Sequence, residues 1–110
     1  MHEKNLKIGY LLDFYGEALS ERKRNVLDMY YNEDFSLAEI AEEIGISRQG
    51  VRDAIVKASN ELRFYEDKLG LANRFAEMKV SAEKIRRMSE SLSLPEELTK
   101  EIEKLETLVI

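Results

Sequence analysis

The chain has 110 residues, 35% of them charged, with a formal net charge of -5, one proline and no cysteine. The missing cysteine excludes a disulfide framework, a thiol nucleophile and a thiolate metal site. Five glycines and a helix-former composition argue against a strand-and-turn architecture, and a 44% apolar fraction argues against disorder.

No apolar run follows a basic segment in Met1–Gly16, and no stretch approaches the roughly 18 apolar residues of a membrane span. A soluble, cytoplasmic protein is expected. Asn5–Ala18 places Leu6, Tyr10, Leu11, Phe14 and Ala18 at helical spacing, and Leu12, Tyr15 and Leu19 widen the stripe. Ser20 then reads as a helix cap ahead of Glu21, Arg22, Lys23 and Arg24. The apolar side of that helix is Val26, Leu27, Tyr30 and Tyr31, and Asn32 and Asp34 favour a turn after it.

Ser36 followed by Glu39 is a capping box for a short helix that faces Leu37, Ile40, Ala41 and Ile44 inward. Gly45 ends it in the left-handed conformation, and Ser47 caps the next helix. Val51, Ile55, Ala58, Leu62, Tyr65 and Leu69 then recur in steps of four and three. No breaker appears before Gly70, so one long helix is predicted. From Leu71 the pattern continues through Phe75, Met78, Ala82 and Ile85 to about Ser89. It breaks at Ser91–Leu94 and restarts at Pro95, with Leu98, Ile102, Leu105 and Val109 as the last stripe. The expected organisation is residues 1–70 as a helix-turn-helix domain with its motif at Ser36–Ala58, and residues 71–110 as a C-terminal helical hairpin for packing or dimerisation.

The motif meets the needs of a helix-turn-helix within one short window. Ala41 is small at the helix crossing, Gly45 tolerates the turn, and Ile40, Ile44, Ile46 and Val51 anchor both sides. The stretch "LSERKRNVLDMYYNEDFSLAEIAEEIGISRQGVRDAI" resembles the fourth conserved region of bacterial sigma factors. Together with "LLDFYG" (Leu11–Gly16) and "YEDKLGL" (Tyr65–Leu71), it is more closely similar to the YlxM family of small bacterial helix-turn-helix proteins. The resemblance spans residues 5–72. It implies an all-α fold with a sigma-region-four-like helix-turn-helix and a long recognition helix. It also implies a regulatory role, and a link to the signal recognition particle pathway through gene neighbourhood.

In such a fold the first turns of the second helix face the major groove. Here they carry Ser47, Arg48, Gln49, Gly50, Arg52 and Asp53. Arg48 and Arg52, four apart, share a face. Arginine pairs with guanine and glutamine with adenine through two hydrogen bonds each. Ser47, Ser36 and the amides at their helix starts can hold phosphates, and Lys57, Arg22, Lys23 and Arg24 are candidate backbone contacts. The competing reading pairs Arg48 and Arg52 with Glu42, Glu43 or Asp53. Glu42, Glu43 and Asp53 also bring negative charge near the presumed groove face, which weakens phosphate attraction.

No catalytic grouping is visible. His2 is the single histidine, the serines lack a histidine base, and the glycines are scattered rather than gathered in a phosphate loop. A non-enzyme without metal or cofactor is expected. Tyr30, Tyr31 and Phe35 are read as core and helix-junction residues rather than a base-stacking platform, and Met78 and Met88 as ordinary packing. The long helix and the hairpin hold more apolar seam than a small helical head needs. That predicts a homodimer through both, matched to paired double-stranded DNA half-sites roughly 34 Å apart. The function expected is a DNA-binding regulator. Its rival is a protein- or RNA-interaction module of the signal recognition particle system, in which the helix-turn-helix is a scaffold and the Glu39, Glu42 and Glu43 face meets a basic partner.

Overall fold

A computed structural model describes residues 5–109, and the regular elements among them are all helical. They form two compact units, Met1–Gly70 and Leu71–Ile110. His2 lies outside the described residues. No helix among them is long and apolar enough to cross a membrane.

The first unit holds α1 (Leu6–Tyr15), a 3-10 turn (Gly16–Ala18), α2 (Glu21–Tyr31), α3 (Leu37–Ile44) and α4 (Arg48–Leu69). Each α-helix starts on a side chain that accepts an otherwise unmatched backbone N–H. Asn5 accepts from Lys7 at 3.0 Å, Ser20 from Lys23 at 3.3 Å, Ser36 from Glu39 at 3.1 Å and Ser47 from Gly50 at 2.9 Å. The capping box closes both ways, because the Ser36 N–H donates to Glu39 Oε1 at 2.9 Å. The Ser36 backbone N–H, and after it the Ser36 hydroxyl, favour the ionised carboxylate, so the Glu39 pKa lies below its ordinary value; burial and nearby Asp34 oppose the shift.

Helix α3 stops at Gly45, whose φ is +75°. Nothing crowds the position where a Cβ would stand, so the backbone angle rather than space is what calls for glycine. Asp34, at φ +57°, makes the turn before α3, and the Phe35 N–H donates to the Met29 carbonyl at 2.8 Å. Short polar side chains such as aspartate tolerate this region better than most.

Helices α1, α2 and α3 all pack on α4. Val51, Ile55, Ala58 and Leu62 form its fully buried stripe. Against them lie Ile8, Leu11, Leu12 and Tyr15 from α1, Val26, Leu27 and Tyr30 from α2, and Ile40 and Ala41 from α3. Tyr31 and Phe35 are half-buried, and the Tyr31 ring meets Tyr30 edge-to-face at 5.1 Å. Two polar pins join the far part of α4 to its neighbours. Tyr15 donates to Glu66 Oε1 at 2.6 Å, and Lys23 Nζ lies 2.7 Å from Glu61 Oε2.

The structure corrects the predicted face of α1. Leu6, Tyr10 and Ala18 are exposed, whereas Ile8 is fully buried. Apolar residues run nearly all round this segment, so spacing alone leaves its phase open. The helix also ends at Tyr15, and the tighter 3-10 turn carries Ala18 out of phase. On α4 the buried stripe ends at Leu62; Tyr65 is half-buried and Leu69 exposed.

The second unit is a hairpin of α5 (Leu71–Ser91) and α6 (Glu96–Leu108), with Pro95 capping α6. The chain reverses at Leu92–Leu94, where Ser93 has φ +52°. Ser89 and Thr99 hydroxyls share a hydrogen bond at 3.0 Å, and Arg86 Nε reaches Glu106 Oε1 at 2.7 Å. This nested pairing is that of antiparallel helices. Ala82 and Ser89 on α5 are buried, as are Ile102 on α6 and Val109 just beyond it. Met78, Ile85, Leu98 and Leu105, expected on the same seam, stay exposed. On α5 the contact line runs through the small residues Ala82 and Ser89, which let α6 approach closely, and on α6 through Ile102 and Val109 of the expected stripe.

Leu62→Ala should cost about 2–5 kcal/mol in urea unfolding, as expected for a leucine in a full core. Leu6→Ala, at an 84% exposed position, should change stability by less than about 0.5 kcal/mol. The charge part of the capping box should be present above 4.5, the ordinary value of Glu39, and lost as pH falls through its lowered pKa. Glu39→Gln keeps a capping geometry without the charge. Its deficit in melting temperature should therefore be largest near neutral pH and shrink on acidification.

Candidate nucleic-acid interface

The turn after α3 presents the start of α4. Gly45 and Ile46 donate to the Ala41 carbonyl at 2.9 and 3.2 Å, closing α3 before Ser47 opens α4. The first turn of α4 contains no acid, so its positive dipole end is not offset within the helix. Ser36 and Ser47 are both engaged as caps through their side-chain oxygens. A Cβ at Gly50 would stand 3.2 Å from Ser47 Oγ and 3.4 Å from Ile46 Cδ1. Gly50 thus makes room for the cap.

Arg48, Gln49, Arg52 and Asp53 are exposed. Gln49 donates to Asp53 Oδ1 at 3.0 Å, tying two of them together one helical turn apart. Arg48 and Arg52 make no ion pair and no side-chain hydrogen bond among the described residues. The pairing of these arginines with Glu42, Glu43 or Asp53 is therefore not what the structure forms. Glu42 and Glu43 remain exposed on α3, while Glu39 is held in its capping box.

The other predicted cations do not gather at this turn. Lys23 is pinned to Glu61, thirteen residues and about 20 Å along α4 from Arg48. Arg24 lies 3.4 Å from Glu17 at the 3-10 turn, and Arg22 is exposed in the first turn of α2. Lys57 is exposed but sits about 140° round α4 from Arg52, near the ridge of Asp53. A cation that the sequence reading passed over is better aligned. Arg63 follows Arg52 by eleven residues, three turns of helix, and so lies on nearly the same ridge. It is exposed and donates to Asn60 Oδ1 at 3.1 Å. Its signal was the eleven-residue spacing, hidden by the buried stripe beside it.

A different feature lies between α2 and α3. Asp28, Glu33 and Glu43 line an open recess of about 500 Å³ with Asn25, Met29 and Phe35. It offers an apolar floor within an acidic rim. No group of three or more potential metal ligands occurs among the described residues.

The chain resembles known proteins over nearly its full length. A family model described as "Putative helix-turn-helix protein, YlxM / p13 like" matches residues 2–105. The UPF0122 protein YlxM of Bacillus subtilis (strain 168) is 41% identical over 106 residues, covering 96% of each chain. A UPF0122 protein of Caldanaerobacter subterraneus is 46% identical over 86 residues, 78% of this chain and 74% of that one. One from Clostridium kluyveri reaches 55% over 69 residues, covering 63% and 62%.

Proposed function

The chain belongs to the YlxM and p13-like helix-turn-helix family, and we propose that it is a non-enzymatic, DNA-binding regulatory protein of the cytoplasm that acts as a homodimer. The observation that carries this reading is the pair of exposed, unengaged arginines, Arg48 and Arg52, in the first turns of α4. They reach base edges in the major groove, where one bidentate contact is worth about 1–3 kcal/mol of discrimination. The free amides at the start of α4 and α3 hold flanking phosphates beside Ser47 and Ser36. Arg63 extends the cationic ridge along the backbone, and Arg22, Arg24 and Lys57 add weaker contacts outside the recognition turn. Gln49 reads a base only after letting go of Asp53.

A second reading has its own observation, the acidic recess beside α3. Its rim suits a lysine or arginine side chain whose stem rests on Met29 and Phe35. On that reading the protein is an interaction module of the signal recognition particle system, in keeping with the gene neighbourhood of the family it resembles.

The two readings separate in a fluorescence anisotropy titration of a labelled mixed-sequence duplex at low and moderate salt. DNA reading predicts binding that weakens with salt and falls at least about tenfold in Arg48→Ala/Arg52→Ala. Asp53→Ala should tighten binding by roughly fivefold, since it frees Gln49 and removes a charge worth about 1 kcal/mol near a phosphate. Absence of binding by the wild type at low salt sinks the DNA reading. Substituting Glu43→Lys should then abolish binding of a basic probe peptide if the recess is the site.

A further inference from the structure

The hairpin leaves one apolar face uncovered. On α5 it carries Met78, Ile85 and Met88, and on α6 it carries Leu98, Leu105 and Leu108, each at least 40% exposed. At about 100° per residue, both sets lie to the same rotational side of the buried contact residues on their helix. The helices run antiparallel, so a displacement of the same sense on each puts both sets on one side of the hairpin. On α6 the face deepens into a groove of about 340 Å³, lined by Leu98, Glu101, Ile102, Lys104, Leu105 and Leu108.

We propose that this face binds the same face of a second copy of the chain, closing a two-fold four-helix bundle. Three observations select a second copy as the occupant. A hairpin of about 40 residues buries too little apolar surface to stand by itself. Its exposed face amounts to on the order of 500 Å² per copy, the size of the largest apolar patches on monomers, which are often functional. Doubled, and with its polar margin, it reaches the roughly 1,200 Å² at which stable interfaces begin. The hairpin carries seven basic and eight acidic residues, so two copies meet without net repulsion.

The proposed pairing also has a register that places opposite charges together. An antiparallel pairing of two α6 helices sets Leu98 opposite Leu108 of the second copy. The same register brings Glu101, the one acid on this stripe, within a turn of Lys104 of the second copy. The pair repeats across the axis, as an isologous interface requires. The inference rests on the homodimer of the proposed function and gives it a surface. It is tested without DNA, so its failure is distinct from a failure of DNA reading.

The test is sedimentation equilibrium of the full chain over a micromolar concentration series, with helicity followed by circular dichroism. The wild type should show twice the chain mass of 12.8 kDa. Leu105→Glu and Met88→Glu should weaken association by about a hundredfold or more while helicity is retained. Glu101→Lys should weaken it by about tenfold, and Glu101→Lys/Lys104→Glu should restore it; both positions are exposed, so the fold tolerates these changes. A control change in the first unit, Phe64→Glu, should leave the mass unaltered. A monomeric wild type overturns the proposal. So does a dimer indifferent to the three face substitutions, or one broken by the control.

Discussion

The buried stripe of Val51, Ile55, Ala58 and Leu62 on α4 is the contact on which α1, α2 and α3 converge. It makes a helix of 22 residues, about 33 Å long, the rigid axis of the first unit. The stripe begins at Val51, so the turn before it has no packing duty. That turn is still held in place, from below by Val51 and from behind by the Ser47 cap and the left-handed Gly45. Exposed side chains on a fixed helix start are what recognition of a groove needs.

For the anionic ligand of the proposed function, the acidity of the chain matters only locally. At physiological salt a charge is felt over about 8 Å, so the field at the recognition turn is local. Several acids of the unit already have partners. Glu61 is neutralised by Lys23, whereas Glu39, Asp53 and Glu66 take hydrogen bonds from neutral donors and keep their charge. Arg48 and Arg52 are not matched in this way, and the helix start adds its own partial positive charge. The net charge of -5 therefore limits non-specific affinity more than it limits reading by these two arginines.

What was legible in the sequence was local. Ser20, Ser36 and Ser47 mark helix starts because a cap works through neighbouring amides. Gly45 and Gly70 mark ends because the angle they adopt is a property of one residue. What was not legible depends on partners distant in sequence. The Lys23–Glu61 pin spans 38 positions and removes a cation that looked available. The phase of α1 was ambiguous because Leu6, Ile8, Tyr10 and Leu11 surround the helix, and only α4 decides which of them is covered. In the hairpin, spacing placed Ala82, Ile102 and Val109 on the seam, where they are buried, but also Met78, Ile85, Leu98 and Leu105, which the close approach at Ala82 and Ser89 leaves exposed. The exposure of Arg48, Gln49 and Arg52 was legible from motif position, but their engagement or freedom is a tertiary fact.

In the proposed function the exposed start of α4 is where this protein meets duplex DNA. The most direct measurement is an amide and guanidinium NMR titration of the full chain with duplex DNA. The account predicts shifts concentrated at Ser47–Asp53 and at the Arg48 and Arg52 side chains, with the acidic recess around Glu33 and Glu43 left unmoved. Shifts centred on that recess, or spread evenly over the surface, would contradict it.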